Sequence, residues 1–270
     1  MKNQESMTME SSKNQKGAGS GEGKLARCLL IGISVLFLLI MLVFPLVEVI
    51  YRSLKEGLKM YGDALTAPNT LSALGVTLIA AVIALAVNTF FGLCAAWLIT
   101  KFDFRGRQLL STLIDIPFSI SPVIAGLAFI MTFGRMGWAK PLIDGVNDLF
   151  GTDISLVFSV PGVVLATIFV TFPFVSRELI PVMQAQGSAE EEAAAMMGAK
   201  GLTIFRRVTF PHIKWALLYG MILCAARALG EFGAVYAVSK ARGKTFTLPL
   251  EIDALYMAGS ADSITQAFAV

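Results

Sequence analysis

The chain is 270 residues long, 56% of them hydrophobic and only 15% charged, where an average soluble domain carries roughly 25% charged residues. That balance, with a mean hydropathy of +0.71, excludes an ordinary cytosolic enzyme, and a net charge of +3 gives no electrostatic footprint for nucleic acid. Cys28, Cys94 and Cys224 make no CxxC spacing and His212 is the sole histidine, so no zinc site, disulfide framework or His-based metal site or triad is indicated.

Residues 1–28 are rich in Ser, Gly, Lys, Glu and Gln and read as a flexible cytoplasmic tail. Within them Ala18 to Lys24 mimics a phosphate-binding loop. That loop needs Gly where Ala18 stands, Ser or Thr where Leu25 stands, and a strand before it. Any ATP used must therefore bind another chain. Residues 29–270 read as one membrane domain. Charge-free windows run over Leu29–Val47, Ala64–Thr100, Ile116–Gly134 and Ile154–Ser176, while Trp215–Ser239 carries only Arg227 and Glu231. Each is long enough to cross a hydrocarbon core of about 30 Å. Five complete transmembrane helices are expected. A sixth apolar run, Ser263 to Val270, is too short to cross, so truncation inside a span is expected. The first window is too long for a signal peptide and lacks a small-residue cleavage site, so it reads as a retained helix.

Lys and Arg counts orient the chain. With the N-terminus in the cytoplasm, the inner segments hold 13 basic residues and the outer ones 8. The loop 177–214 then lies inside.

The third window contains Pro117, Ser119, Ser121, Pro122 and Gly126. The prolines predict a kink or break, tolerated at membrane depth where the backbone is buried or lines a cavity. Ser119 and Ser121 can then offer hydroxyls to an anion, or the feature is a packing kink. Arg227 and Glu231, four apart in the fifth window, predict a pair on one helical face. That pair is either a gate on an anion path or an ion pair that locks packing.

In the inner loop Ser188 and Glu191 have capping-box spacing, and Glu190, Glu191 and Glu192 suit a helix N-terminus. The helix runs to a stop at Gly198, with Ala193, Met196 and Met197 on one face. Small and pliable apolar side chains suit a groove on another protein. The alternative is a helix lying on lipid, which would favour basic and aromatic residues over three Glu.

Glu192-Ala193-Ala194, then Gly198, then Val208-x-Phe210-Pro211 resembles the EAA loop of ATP-binding-cassette importer permeases, with Val208 and Phe210 where that family has Ile and Leu. The resemblance implies that Glu192, Ala193, Ala194, Met197, Gly198, Val208, Phe210 and Pro211 couple the chain to an ATPase. Asp115–Gly126, Phe172–Glu178 and Arg227–Val235 resemble the sulfate/thiosulfate permeases, in particular their W type, over residues 51–270. This implies an all-α membrane bundle of the type I importer permease fold. It also implies a place in the bacterial inner membrane beside a second, homologous permease, two ATPase subunits and an external sulfate-binding protein. ATP and magnesium would sit on the ATPase, with no cofactor on this chain. Molybdate or tungstate import is the alternative within transport. An intramembrane enzyme or assembly factor is the alternative outside it, disfavoured because no nucleophile with a paired base is in view.

Overall fold

The computed structural model describes residues 24–151 and 155–270, and every regular element among them is helical. The pseudo-phosphate loop and the tail up to residue 23 lie outside the described residues. Residues 24–28, expected as tail, are already helical.

The first crossing joins α1 (Lys24–Leu38), one π-helical turn (Leu39–Val43) and α2 (Phe44–Leu54). The π-turn falls just before Pro45, whose missing N–H disturbs the ordinary helical ladder. None of the most apolar window of this helix is buried. Leu30, Phe37 and Leu42 all stand outward, as side chains facing lipid do. After α3 (Leu58–Thr66), extended Ala67 and Pro68 open α4 (Pro68–Lys101). The expected second window therefore splits, with residues 64–66 in α3. On α4 the small residues Ala73, Ala80, Ala84, Gly92 and Ala96 are buried, while Leu78, Val82, Phe90 and Phe91 face outward. This inversion is the one expected where lipid is the solvent and close backbone packing supplies the attraction.

The third apolar segment is not one helix. Helices α5 (Arg107–Ser119) and α6 (Pro122–Phe133) meet at 108°. The predicted break is therefore a sharp bend, and the segment begins nine residues before the uncharged window. Helix α7 (Lys140–Phe150) follows. The fourth crossing, α8 (Val160–Thr171) and α9 (Pro173–Gln186), runs over 27 residues. It continues ten residues past the expected end at Ser176.

Beyond the short helices α10 (Ala189–Met196) and α11 (Gly201–Ile204) comes a second π-turn (Phe205–Thr209) that precedes Pro211. Helix α12 (Phe210–Leu229) completes the fifth crossing. The expected window 215–239 overshoots this end. Gly230 closes α12, and α13 (Gly233–Val238) is a separate helix. Arg227 and Glu231 therefore do not share one helical face. Helices α14 (Leu248–Met257) and α15 (Ala261–Ala269) end the chain, with α15 packed on α2.

Two cores hold the bundle together. In one, Val175, Leu179, Met183, Ile213 and Cys224 join α9 to α12 against Ala96 of α4. Both neighbours approach Val175 through glycine. A Cβ at Gly92 would sit 3.0 Å from Val175 Cβ, and one at Gly220 3.1 Å from Val175 Cα. In the other, Val163, Ala166 and Val170 of α8 pack with Val76, Ala80, Val235, Val238 and Leu250.

Candidate functional site

Helix α10 stands at the end of the bundle where α4, α9 and α12 converge. Gly187, at φ +70°, turns the chain out of α9, and Gly198, at φ +83°, turns it out of α10. Ala199 N–H donates to Ala194 O (3.1 Å) and Gly198 N–H to Ala195 O (2.9 Å), the paired C-terminal bonds of a Schellman stop. The expected capping box is not formed. Ser188 makes no side-chain cap and instead donates to Glu192 Oε1 at 2.5 Å. Glu191 is claimed by tertiary partners, taking Lys101 Nζ at 3.0 Å and Thr209 Oγ1 at 2.6 Å.

Lys101 Nζ also donates to Gly187 O at 2.5 Å. One lysine at the end of α4 and one threonine in the second π-turn thus clasp α10 to the bundle. The lysine is 7% exposed and the glutamate 16%, so this pair is far better shielded than a surface ion pair. Glu190 lies 3.6 Å from His212 Nε2. With one side clasped, α10 presents Met196 (85% exposed) and Met197 (87%) outward, beside exposed Ala193. Ala194 is half-buried. Val208 lies in the π-turn, and Phe210 and Pro211 start α12. Phe210 lies tilted against Phe205 at 6.2 Å, and Phe205 stacks on Trp97 at 5.0 Å.

The second feature is the meeting of the broken α5–α6 segment with α13. Helices α6 and α13 pack directly on each other. A Cβ at Gly126 would lie 2.5 Å from Ala234 O, and one at Gly233 3.0 Å from Pro122 Cβ. Glu231, 1% exposed, sits in the break. Its Oε1 accepts from Ala234 N–H at 2.8 Å, and its Oε2 lies 2.5 Å from Arg227 Nη1. The Arg227 contact is charge on charge without an aligned hydrogen bond, since Oε2 has none. The expected pair is thus present, but its carboxylate also ties down the first turn of α13. Ser119 and Ser121 flank the bend, both exposed. Ser119 Oγ makes one long bond to Asp115 O at 3.4 Å.

Three constellations escaped the sequence. The Lys101–Glu191–Thr209 clasp joins residues up to 108 positions apart. Asp115 and Arg177 approach to 3.5 Å, although both stand in the stretches that carried the resemblance. Arg242 grips Glu251 through Nε and Nη2 at 2.6–3.1 Å. That bond to the carboxylate raises the guanidinium's pKa above its ordinary value. Ser72 Oγ donates to Gly243 O at 2.8 Å, strapping the same loop to α4.

Apolar crossings, one of them sharply broken and packed on α13 through glycines, with a clasped helix at one end, have the build of a membrane permease subunit. The chain belongs to the family of binding-protein-dependent transport system inner membrane components, whose model matches residues 88–269. Within that family it is 49% identical to the sulfate transport system permease protein CysW of Escherichia coli K12, over 84% of this chain and 76% of the relative. It is 36% identical to the CysT permease of Salmonella typhimurium, over 77% and 73%. Among solved structures it resembles a chain of a bacterial alginate ABC transporter in complex with its periplasmic protein. The TM-score is 0.73 at 18% identity, over 90% of this chain and 87% of that one, a likeness of fold. The chain is accordingly a transporter permease subunit and not an enzyme.

Proposed function

We propose that this chain is the W-type permease subunit of an ATP-driven sulfate or thiosulfate importer. The observation that carries the reading is the 49% identity to a CysW permease against 36% to a CysT permease. In this reading a second, homologous permease completes the path and two ATPase subunits dock on the two permeases. An external sulfate-binding protein delivers the anion, and the N-terminus lies in the cytoplasm of the bacterial inner membrane.

Helix α10 is the coupling element. Met196, Met197 and Ala193 fill a groove on the ATPase, and the Glu191 clasp carries the motion into α4 and α12. Glu192 and Gly198 shape the two ends of the helix. Closure of the ATPases draws the coupling helices together and turns the bundle outward. Hydrolysis and reopening return it inward, so the partner's two states bias the permease's two states. The broken α5–α6 segment, with Ser119 and Ser121, lines the path with α13. Arg227 and Glu231 take the packing role, because Glu231 is buried and engaged on both oxygens.

Uptake of radiolabelled sulfate in cells lacking only this chain, with molybdate as competitor, tests the proposal. Loss of sulfate uptake that the chain restores supports it. Sulfate uptake unaffected by the deletion, or restored uptake of molybdate alone, refutes it.

A further inference from the structure

An arginine within a span is costly unless a partner or water takes up its charge. Arg177 is more loosely paired than Arg227. It lies on α9, nine residues before Gln186, about 14 Å along the axis from the end that carries the coupling helix. Asp115 Oδ1 is 3.5 Å from its Nε, and the two side chains are 45% and 49% exposed. None of its N–H groups makes a hydrogen bond among the described residues. Arg227, by contrast, faces a carboxylate that is 1% exposed at 2.5 Å.

What positions Arg177 is aromatic. Its Cζ lies 4.7 Å from the centre of the Phe118 ring, which packs on Phe174 at 5.4 Å. A guanidinium over a ring keeps its charge while its N–H edge stays available. One residue beyond Phe118, the exposed Ser119 hydroxyl stands at the 108° bend.

The geometry points to Arg177 as a contact for the transported oxyanion at the coupling-helix end of the broken crossing, with Ser119 as a second donor and Asp115 as the carboxylate the anion displaces. This rests on the reading of the chain as an oxyanion permease. A guanidinium fork matches two oxygens of a tetrahedral oxyanion. A dianion carries more charge than the single carboxylate of Asp115 and takes its place. When the anion leaves, Asp115 returns. The empty path is then neutral, and the anion is not trapped on an uncompensated cation. Conduction needs that balance of entry and release.

Proteoliposomes holding the complete importer, with external binding protein and radiolabelled sulfate, test this. Arg177→Met should lower uptake about tenfold or more, the effect of losing a hydrogen bond to a charged group, while co-purification of the complex and its unfolding temperature stay unchanged. Arg177→Lys should fall between Arg177→Met and wild type. Asp115→Asn should keep entry but slow release, seen as stronger inhibition by sulfate preloaded inside the vesicles. Uptake by Arg177→Met at the wild-type rate overturns the inference. So do equal losses in Arg177→Met and Asp115→Asn that the double variant restores, the behaviour of a packing latch. Should Arg177→Met fail to assemble, Arg177→Gln, which keeps a planar group over Phe118, decides the same question. Wild-type vesicles that carry molybdate and not sulfate refute the proposed cargo. The same variants measured with molybdate then still test Arg177.

Discussion

Asn88 donates its side-chain amide to the carbonyl of Ile168, 3.1 Å away on the neighbouring crossing. Pro173 explains why that carbonyl is free. It has no N–H for Phe169 O, so the N–H of Phe172 shifts to Phe169 at 3.4 Å and leaves Ile168 without its helical donor. Asn88, fully buried on α4, fills the vacancy and donates also to Thr171 Oγ1 at 2.8 Å. The join between α8 and α9 is thus stitched by a residue from another helix.

Asn88→Ala should therefore destabilise the bundle by about 1–2 kcal/mol, since interhelical hydrogen bonds in membranes are modest but an abandoned buried acceptor adds to the loss. Cys224 reports on it, because its sulfur lies 3.8 Å from Asn88 Nδ2 and is fully buried. In a background with Cys28 and Cys94 replaced by Ser, thiol labelling of Cys224 should be faster in Asn88→Ala and its unfolding temperature lower. Identical labelling and unfolding would mean that the stitch contributes nothing.

Removing the two charges of the Arg227–Glu231 pair should not be symmetrical. Arg227 is 31% exposed and can be hydrated, whereas Glu231 is 1% exposed. Arg227→Met strands the buried carboxylate and should cost about 3 kcal/mol. Glu231→Gln keeps an acceptor for Ala234 N–H and should cost less. The double variant should be more stable than Arg227→Met alone. A double-variant cycle on thermal stability checks this. Additive losses would show that the two groups are independent.

Coupling should depend on how α10 is held as well as on what it presents. Glu191→Gln loosens the grip on Lys101 and should reduce recovery of the ATPase with the permease. Glu192→Gln keeps an acceptor for Ser188 at the helix start and should have the smaller effect. Met196→Glu should leave the fold intact and weaken docking. At Gly198 a Cβ meets nothing within 4 Å, so injury within the chain comes from its positive φ. Gly198→Asn, which tolerates that conformation, should then retain more ATPase than Gly198→Ala. Equal recovery in those two variants would remove the backbone argument.

The apolar windows made the crossings legible because lipid imposes length and composition directly. The bend at Pro117–Pro122 was legible for a similar reason, since proline acts on its own backbone. Helix ends were not. The fifth window ran on to Ser239 because Ala, Val and Tyr on α13 are as apolar as those on α12, and only the Gly230 stop separates them. The capping box failed because Lys101 and Thr209 outcompete a local bond for Glu191. Arg177 stood in plain view at the edge of a charge-free window, but its value lies in its proximity to Asp115 and Phe118, which no spacing along the chain reveals.

The contact between α6 and α13 should be intolerant of a single methyl, and unequally so on its two sides. At Gly126 an added Cβ would stand 2.5 Å from Ala234 O, 2.8 Å from Ala237 Cβ and 3.1 Å from Ala234 Cα. Two of those three neighbours are backbone, so α13 itself must move. At Gly233 the nearest atoms are Pro122 Cβ at 3.0 Å and Val123 Cγ2 at 3.3 Å, which side chains can partly relieve. Gly126→Ala should thus reach the upper end of the roughly 1–3 kcal/mol typical of overpacking, and Gly233→Ala the lower. The larger shift has a second consequence. Ala234 donates to Glu231, so moving it pulls the carboxylate away from Arg227. Gly126→Ala should then weaken the stability coupling between Arg227 and Glu231, while Gly233→Ala leaves it. Adding Ala237→Gly removes one of the clashing atoms but not the carbonyl, so it should recover only part of the lost unfolding temperature. Full recovery would place the clash on the side chain alone and leave the backbone of α13 where it is.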